Sequence, residues 1–497
     1  MPVGPAISDA ITAKQLFAAE RARIDASCRL PVLFYFGSSV FWLLIGSMLA
    51  LISSIKMHHP EWLFPNWSFL TFGRVRPAHL NAVVYGWASM AGIGTSIWLM
   101  CRLSRAELVY PKMLVIACML WNFGMLVGIL GILFGYGTSV EWLEFPMVVP
   151  PVLTLSLSMV AAWTVAVFRN RREKHVYVTQ WYIFAAMFWM PWLYTSANIM
   201  IHYLPAKGVV QAATNWWFAH NVLGLWIAPI GVGAAYYLIP KVLGRPVYSY
   251  YLSILGFWAL ALFYSWAGMH HLAGGPIPAW MSTASTVGSV MMFIPVMAVA
   301  LNHHMTMYGR FRELRYSPTL RFVVFGSISY TAVSFQGSIE SLKTVSEITH
   351  FTHYTVGHAH LGLYAFFSMT MFGAMYYIVP RLTDWEWGSS TLIRLHFWTC
   401  AIGIAIYFIA LTVGGWFQGL AMNNPEVPWI RIVNSTIPYL ISRSVGGTLM
   451  TIGHVVFAIL FIQNVLKLTP RRLGPAYFNE KAEVRAAEAR EMAPIAS

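Results

Sequence analysis

Gly357-His358-Ala359-His360 opens an apolar run that continues from residue 356 to about 380. On an α-helix successive residues turn by about 100°, so these two imidazoles point about 200° apart, one to each side of the helix. Such a helix can serve two metal centres if other helices bring partners to the same depth. A lone histidine in an apolar segment is more often a core residue, so the reading rests on the rest of the chain.

The 497 residues are 58% hydrophobic and 10% charged, with a mean hydropathy of +0.60. Soluble domains carry about 25% charged residues, so this is an all-α polytopic membrane protein. Apolar runs long enough to cross a bilayer occur about twelve times, the first near residues 30–55 and the last near 437–463. The chain divides into an N-terminal arm, 1–29, a membrane domain, 30–466, and a C-terminal tail, 467–497. The net charge of +14, from 32 basic against 18 acidic residues, reflects topology. Arg102, Arg105, Arg169, Arg171, Arg172, Lys174, Arg310, Arg312 and Arg315 fall in loops that share a side with the arm. Lys and Arg stay on the cytoplasmic side, which puts both termini in the cytoplasm and implies no nucleic-acid partner. The four cysteines form neither CxxC nor CxxCH, so any haem c belongs to another subunit.

This topology gives each histidine a depth. His79, His220, His270, His271, His358 and His360 all fall in the outer third of the membrane, on four helices. Polar side chains inside a membrane are costly and usually functional, and independent core histidines have no reason to converge on one layer. His303 and His304 lie at the opposite end, where a hydrated helix terminus is expected. His202, His396 and His454 are isolated and read as core or solvated residues. Two axial histidines saturate a low-spin haem, one leaves a haem with an open position, and three hold a copper. Six imidazoles divide into these sets, with His358 and His360 serving two haems that flank their helix. Arg74, Arg76 and Arg443 lie at the same face, where haem propionates need cationic forks.

At this point the sequence resembles the haem–copper oxidase superfamily, specifically the catalytic subunit I of cbb3-type cytochrome c oxidases. The likeness is carried by 72–79 (FGRVRPAH), 215–221 (NWWFAHN), 245–250 (RPVYSY), 264–271 (YSWAGMHH) and 354–360 (YTVGHAH). It implies the subunit I helix bundle in a bacterial inner membrane. It implies His79 and His360 as axial ligands of low-spin haem b, and His358 as the ligand of high-spin haem b3. It gives His220, His270 and His271 to copper. The resemblance also assigns Tyr264, cross-linked in the family to the histidine matching His220, to the breaking of the O–O bond. O2 is then the substrate, haem-c subunits are the partners, and cytochrome c is the ultimate donor.

Tyr264 lies seven residues before His271, which on one continuous helix puts it two turns inward on the same face. Two alternatives remain. A nitric oxide reductase holds non-haem iron with a glutamate one turn after the first ligand histidine, where this chain has Gly224. A haem-binding membrane protein without activity predicts no redox-active copper.

The chain departs from the cbb3 pattern at Gln336, usually a glutamate, and at His353, usually an aspartate. Glu340, one turn after Gln336, is the candidate for the missing carboxylate. The loop with Glu141 and Glu144 loosely resembles the family's calcium-associated loop and implies calcium there. For proton uptake the inner ends of the sixth and seventh helices offer Tyr236, Tyr237, Tyr248, Ser249, Tyr250 and Ser253. From Tyr250 to Tyr264 is about 21 Å of helix, which waters or hydroxyls such as Thr286 and Ser289 have to bridge.

Overall fold

The computed structural model describes residues 5–472, 474 and 476–478, with side chains from residue 15 onward. Most of the expected tail, 467–497, therefore lies outside the described residues. Twelve long helices run back and forth. They are α1 Pro5–Lys56, α2 Phe72–Ser104, α3 Pro111–Leu133, α4 Val149–Arg169, α5 Val178–Asn198 and α6 Val209–Leu243. They continue as α7 Tyr250–Leu272, α8 Ala279–Met307, α9 Pro318–Glu340, α10 His353–Thr383, α11 Ser390–Met422 and α12 Trp429–Val465. Among the described residues, eleven helices are long and apolar enough to cross a membrane. The exception to the expected twelve is α5, 21 residues long, whose Trp, Tyr and amide side chains make it less apolar.

The segment 1–29, read from sequence as an arm ahead of the first helix, is helical from Pro5 and continuous with α1. Ion pairs fasten it to the end of α2, Asp25 with Arg102 at 2.9 Å and Glu20 with Arg105 at 2.7 Å. Trp98 adds an indole N–H donated to Asp25 at 2.9 Å. The Asp25 carboxylate, polar in the sequence, is thus satisfied inside the bundle.

Three helices occupy the centre. Of their most apolar eighteen residues, 94% in α2, 89% in α6 and 78% in α10 are buried, against 39–56% in the other eight membrane spans. These central helices carry four of the six layered histidines, and α7 brings the other two. Depth is set locally at the helix starts. The Thr352 hydroxyl caps α10 by accepting from the Tyr354 N–H at 3.2 Å, which places His358 and His360 in the second turn. Ser249, Ser317 and Ser389 cap α7, α9 and α11 at the other end in the same way.

Because lipid is as apolar as leucine, helices in membranes associate where small residues let backbones approach. A β-carbon on Gly446 of α12 would lie 2.6 Å from the Gly403 carbonyl of α11. Gly446→Leu must push the two helices apart, at a cost of about 1–3 kcal/mol or more. The expected result is a lower thermal midpoint of the solubilised protein, and an unchanged midpoint would contradict this close approach.

Candidate metal centre

Each central helix changes its winding just after its histidine. Wider π-helical turns span Ala82–Ala88 after His79, Val222–Ile227 after His220 and Leu361–Ser368 after His360. Insertions of this kind recur at functional sites because they shift the side chains on either side of them out of regular register. Nothing in the apolar pattern distinguishes such turns from ordinary α-helix.

His220, His270 and His271 converge so that one ring nitrogen from each lies within 4.8 Å of the others. Ring centroids are 5.1 Å apart for His220 and His270, 5.6 Å for His220 and His271, and 4.3 Å for His270 and His271. Among the described residues no other three His, Cys, Asp or Glu side chains group in this way. The Ser285 and Ser289 hydroxyls hold His270 Nδ1 at 3.1 and 3.2 Å, leaving its Nε2 free. Trp216 stacks on His271 at 4.4 Å. His220 Nδ1 is buried with no hydrogen-bond partner, which fits a coordinated ion.

Tyr264 packs against His220 with ring centroids 4.7 Å apart. It arrives there otherwise than expected. The regular helix ends at Tyr264, Gly268 turns the chain at φ +118°, and His270 and His271 stand on a separate short turn. Tyr264 therefore reaches His220 across the α6–α7 interface instead of lining up beneath His271. Gly224 makes room for it, since a β-carbon there would fall on the phenol ring. A glutamate at this position, which the iron-containing alternative needs, cannot coexist with Tyr264 as placed.

The other three histidines share one feature. His79 Nδ1 faces the Gly46 carbonyl at 2.9 Å and His360 Nδ1 faces the Val356 carbonyl at 2.8 Å. A carbonyl only accepts, so each ring donates from Nδ1 and keeps its Nε2 lone pair. This is how metal-binding histidines are oriented, and it fits two axial haem ligands. His360 Nε2 faces the Tyr407 hydroxyl at 3.1 Å. His358 Nδ1 lies 3.3 Å from the Gln336 amide oxygen and 3.7 Å from Glu340. Glu340 is buried, with neither oxygen hydrogen-bonded, so it is an inward carboxylate beside His358.

The arginines differ among themselves. Arg443 is buried, its Nη1 meets the Met57 sulfur at 2.6 Å and its Nε has no partner. A buried cation with an unused donor fits an anionic propionate. Arg74 instead donates to the Leu133 carbonyl at 3.2 Å, and Arg76 pairs with Glu141 at 2.6 Å. Glu144 turns to Asn81, at 2.9 Å. Glu141 and Glu144 thus turn to separate partners.

The expected proton steps are only partly brought together. Ser253 accepts from Asn302 at 3.1 Å, and the same amide donates to Tyr236, also at 3.1 Å. Tyr236 packs on His303 at 4.5 Å, and His303 Nδ1 meets the Ser327 hydroxyl at 2.9 Å. His303 is 3% exposed, so it is a buried member of a polar column and no hydrated helix end. Tyr330 packs on Phe366 and its buried hydroxyl has no hydrogen-bond partner, so this column stops short of Tyr264. Tyr237 lies elsewhere, against Trp98 and Tyr377. Tyr248 is exposed, and Tyr250 donates to the Val176 carbonyl at 3.0 Å. Thr286 donates to the Ser282 and Ser341 carbonyls, and Ser289 serves His270. Register explains these misses, because one residue's step moves a side chain about 100° around its helix.

Residues 31–449 match the family model for cytochrome c and quinol oxidase polypeptide I, and the chain belongs to this family. It is 31% identical to the Cbb3-type cytochrome c oxidase subunit CcoN1 of Stutzerimonas stutzeri, over 84% of this chain and 91% of that one. It is also 31% identical to the bacteroid cytochrome c oxidase subunit 1 homolog of Bradyrhizobium diazoefficiens, over 86% and 80% of the two chains. The fold matches a heme-copper terminal oxidase dimer solved by cryo-electron microscopy, with a TM-score of 0.68, 17% identity and coverage of 93% of this chain and 86% of that one. The resemblance read from the five sequence segments is borne out.

Glu144 gives a pH test of the loop that carries Arg76's partner. It is 4% exposed, and burial pushes its carboxyl from an ordinary 4.5 up to about 7. Between these values the folded chain keeps a proton that the unfolded chain has lost, so stability falls as pH rises through this window and stays lower above it. The full effect is on the order of 3 kcal/mol, at 1.36 kcal/mol per unit. Thermal midpoints of wild type should drop from pH 5 to pH 7, and those of Glu144→Gln should stay nearly level. Parallel curves for the two proteins would contradict the buried acid.

Proposed function

We propose that this chain is the catalytic subunit of a cbb3-type cytochrome c oxidase of the bacterial inner membrane, reducing O2 to water. Tyr264 against His220 over Gly224 is the observation that carries this reading. It puts a phenol beside a three-histidine site and removes the position an iron-binding glutamate would use. Both termini are assigned to the cytoplasm by the basic loops.

In this reading His79 and His360 hold haem b, His358 holds haem b3, and His220, His270 and His271 hold copper. Bound there, the two haems and copper supply electron storage and an open position for a diatomic gas. The chain's own residues do the rest. Backbone carbonyls keep the Nδ1 protons of His79 and His360 in place, so their Nε2 atoms are presented as ligands. Gln336 does the same for His358 as a neutral acceptor. Arg443 offers its free Nε–H to a propionate. Tyr264 would supply a proton and an electron when the O–O bond breaks, and would then have to regain both, the proton through the chain's polar groups and the electron from the companion subunits. The column of Ser253, Asn302, Tyr236, His303 and Ser327 is the candidate route for that proton. Electrons enter from companion subunits that carry haem c, supplied by cytochrome c.

Cofactor analysis of the purified complex tests the assignment. Two haems b and one copper per chain are expected. Non-haem iron without copper would favour nitric oxide reduction, and absence of haem would sink both readings. Tyr264→Phe should lower O2 reduction at least a hundredfold with both haem spectra intact, and retained turnover would remove Tyr264 from the reaction.

A further inference from the structure

A cavity of about 520 Å³ opens at the end of the bundle nearest to the three grouped histidines. One wall is the chain that leaves His271, from Ala273 to Gly275, and Ser282 of α8 stands beside it. Both connect the cavity to the site. Ala273 donates its N–H to the His270 carbonyl at 3.2 Å. Ser282 lies one turn before Ser285, whose hydroxyl meets His270 Nδ1 at 3.1 Å.

The same cavity is lined by one imidazole, His350, and one thioether, Met422. A short helix, Lys343–Thr349, delivers the histidine. It is fastened on two sides. Lys343 donates to the Thr283 hydroxyl of α8 at 3.3 Å, and the Asn423 amide at the end of α11 donates to the Glu347 carbonyl at 3.0 Å. Gly419 lets α11 come close, since a β-carbon there would fall on the Ile348 carbonyl. After His350 the chain turns at Phe351, which has φ +61° and is 79% exposed. A bulky residue seldom adopts this left-handed backbone, and strain of this kind clusters at functional sites. Here the turn stacks the Phe351 ring on His350, with centroids 3.8 Å apart, and leaves the imidazole half-buried in the cavity wall.

The three-histidine site needs a way in. His270 is 7% exposed, and a flank covered by lipid does not admit an ion. Thioether and imidazole together suit cuprous copper, a soft ion. Two such ligands hold it less firmly than three imidazoles, as a stop on the way to a final site must. We propose that this cavity is the loading port for copper, with His350 and Met422 as transient ligands that pass the ion to His270, His271 and His220. The inference rests on the reading that these three histidines hold copper. The transfer is ligand exchange with no redox change. Bonds to the His350 nitrogen and the Met422 sulfur break as bonds to three neutral imidazoles form, the ion stays cuprous, and no proton is released.

The test measures copper per haem in the complex purified from cells grown over a range of copper supply. Loss of even an outer partner costs a metal site about 10–100-fold in affinity, so His350→Ala should need about tenfold more copper than wild type for half-loading. It should reach the same plateau, with both haem spectra intact. Ala279→Trp, which fills the cavity from its exposed edge and removes no ligand atom, should shift the curve the same way, and it decides the matter if His350→Ala fails to assemble. Loading curves that coincide with wild type overturn the port. A lower plateau does so too, because it marks damage to the final site. A change in turnover with an unmoved loading curve would make the cavity a route for water and also overturn the port. Wild type without copper at any supply would sink the functional reading instead.

Discussion

An imidazole inside a membrane bundle has two nitrogens and no water to serve the spare one. Every polar group there must find a partner in the protein or pay several kcal/mol. Four of the six layered histidines meet this constraint by committing Nδ1. Gly46 and Val356 offer carbonyls to His79 and His360, Gln336 offers an amide oxygen to His358, and Ser285 and Ser289 hold His270. Once Nδ1 is committed, Nε2 points where the fold directs it. The burial of α2, α6 and α10, the caps that set their depth and the π turns behind their histidines all serve to hold these anchors.

The same constraint gives meaning to histidines away from the layer. His303 is paired with Ser327, and His454 with Ser47 and Tyr364. Both are bonded across helix interfaces, His303 of α8 to α9 and His454 of α12 to α1 and α10.

Gln336 and Glu340 show how a departure from the family pattern can be absorbed. An amide oxygen at Gln336 orients His358 as a carboxylate would, without adding charge. The carboxylate reappears one turn later, 3.7 Å from the same nitrogen, where it is buried and free of hydrogen bonds. Orientation and titration, which one glutamate could combine, are here divided between two residues. Arg76 shows the reverse, with its charge taken up by Glu141, while Arg443 keeps a buried Nε–H without a partner.

The all-α membrane class, the histidine layer and the family were legible in the sequence because hydropathy and motif spacing survive averaging over a whole helix. His220, His270 and His271 group closely enough to hold one ion. Which neighbour each side chain meets was not legible. Tyr236 and not Tyr237 joins the polar column, Tyr264 reaches His220 across an interface, and His303, His396 and His454 each have a hydrogen-bond partner. In each case the outcome turns on rotation about a helix axis, and a single residue's step or one π turn changes it. Apolar pattern records that a segment crosses the membrane. Only packing of the twelve helices decides which face looks inward, because that face is chosen by close approach at residues such as Gly224, Gly446 and Gly453, whose role is to have no side chain.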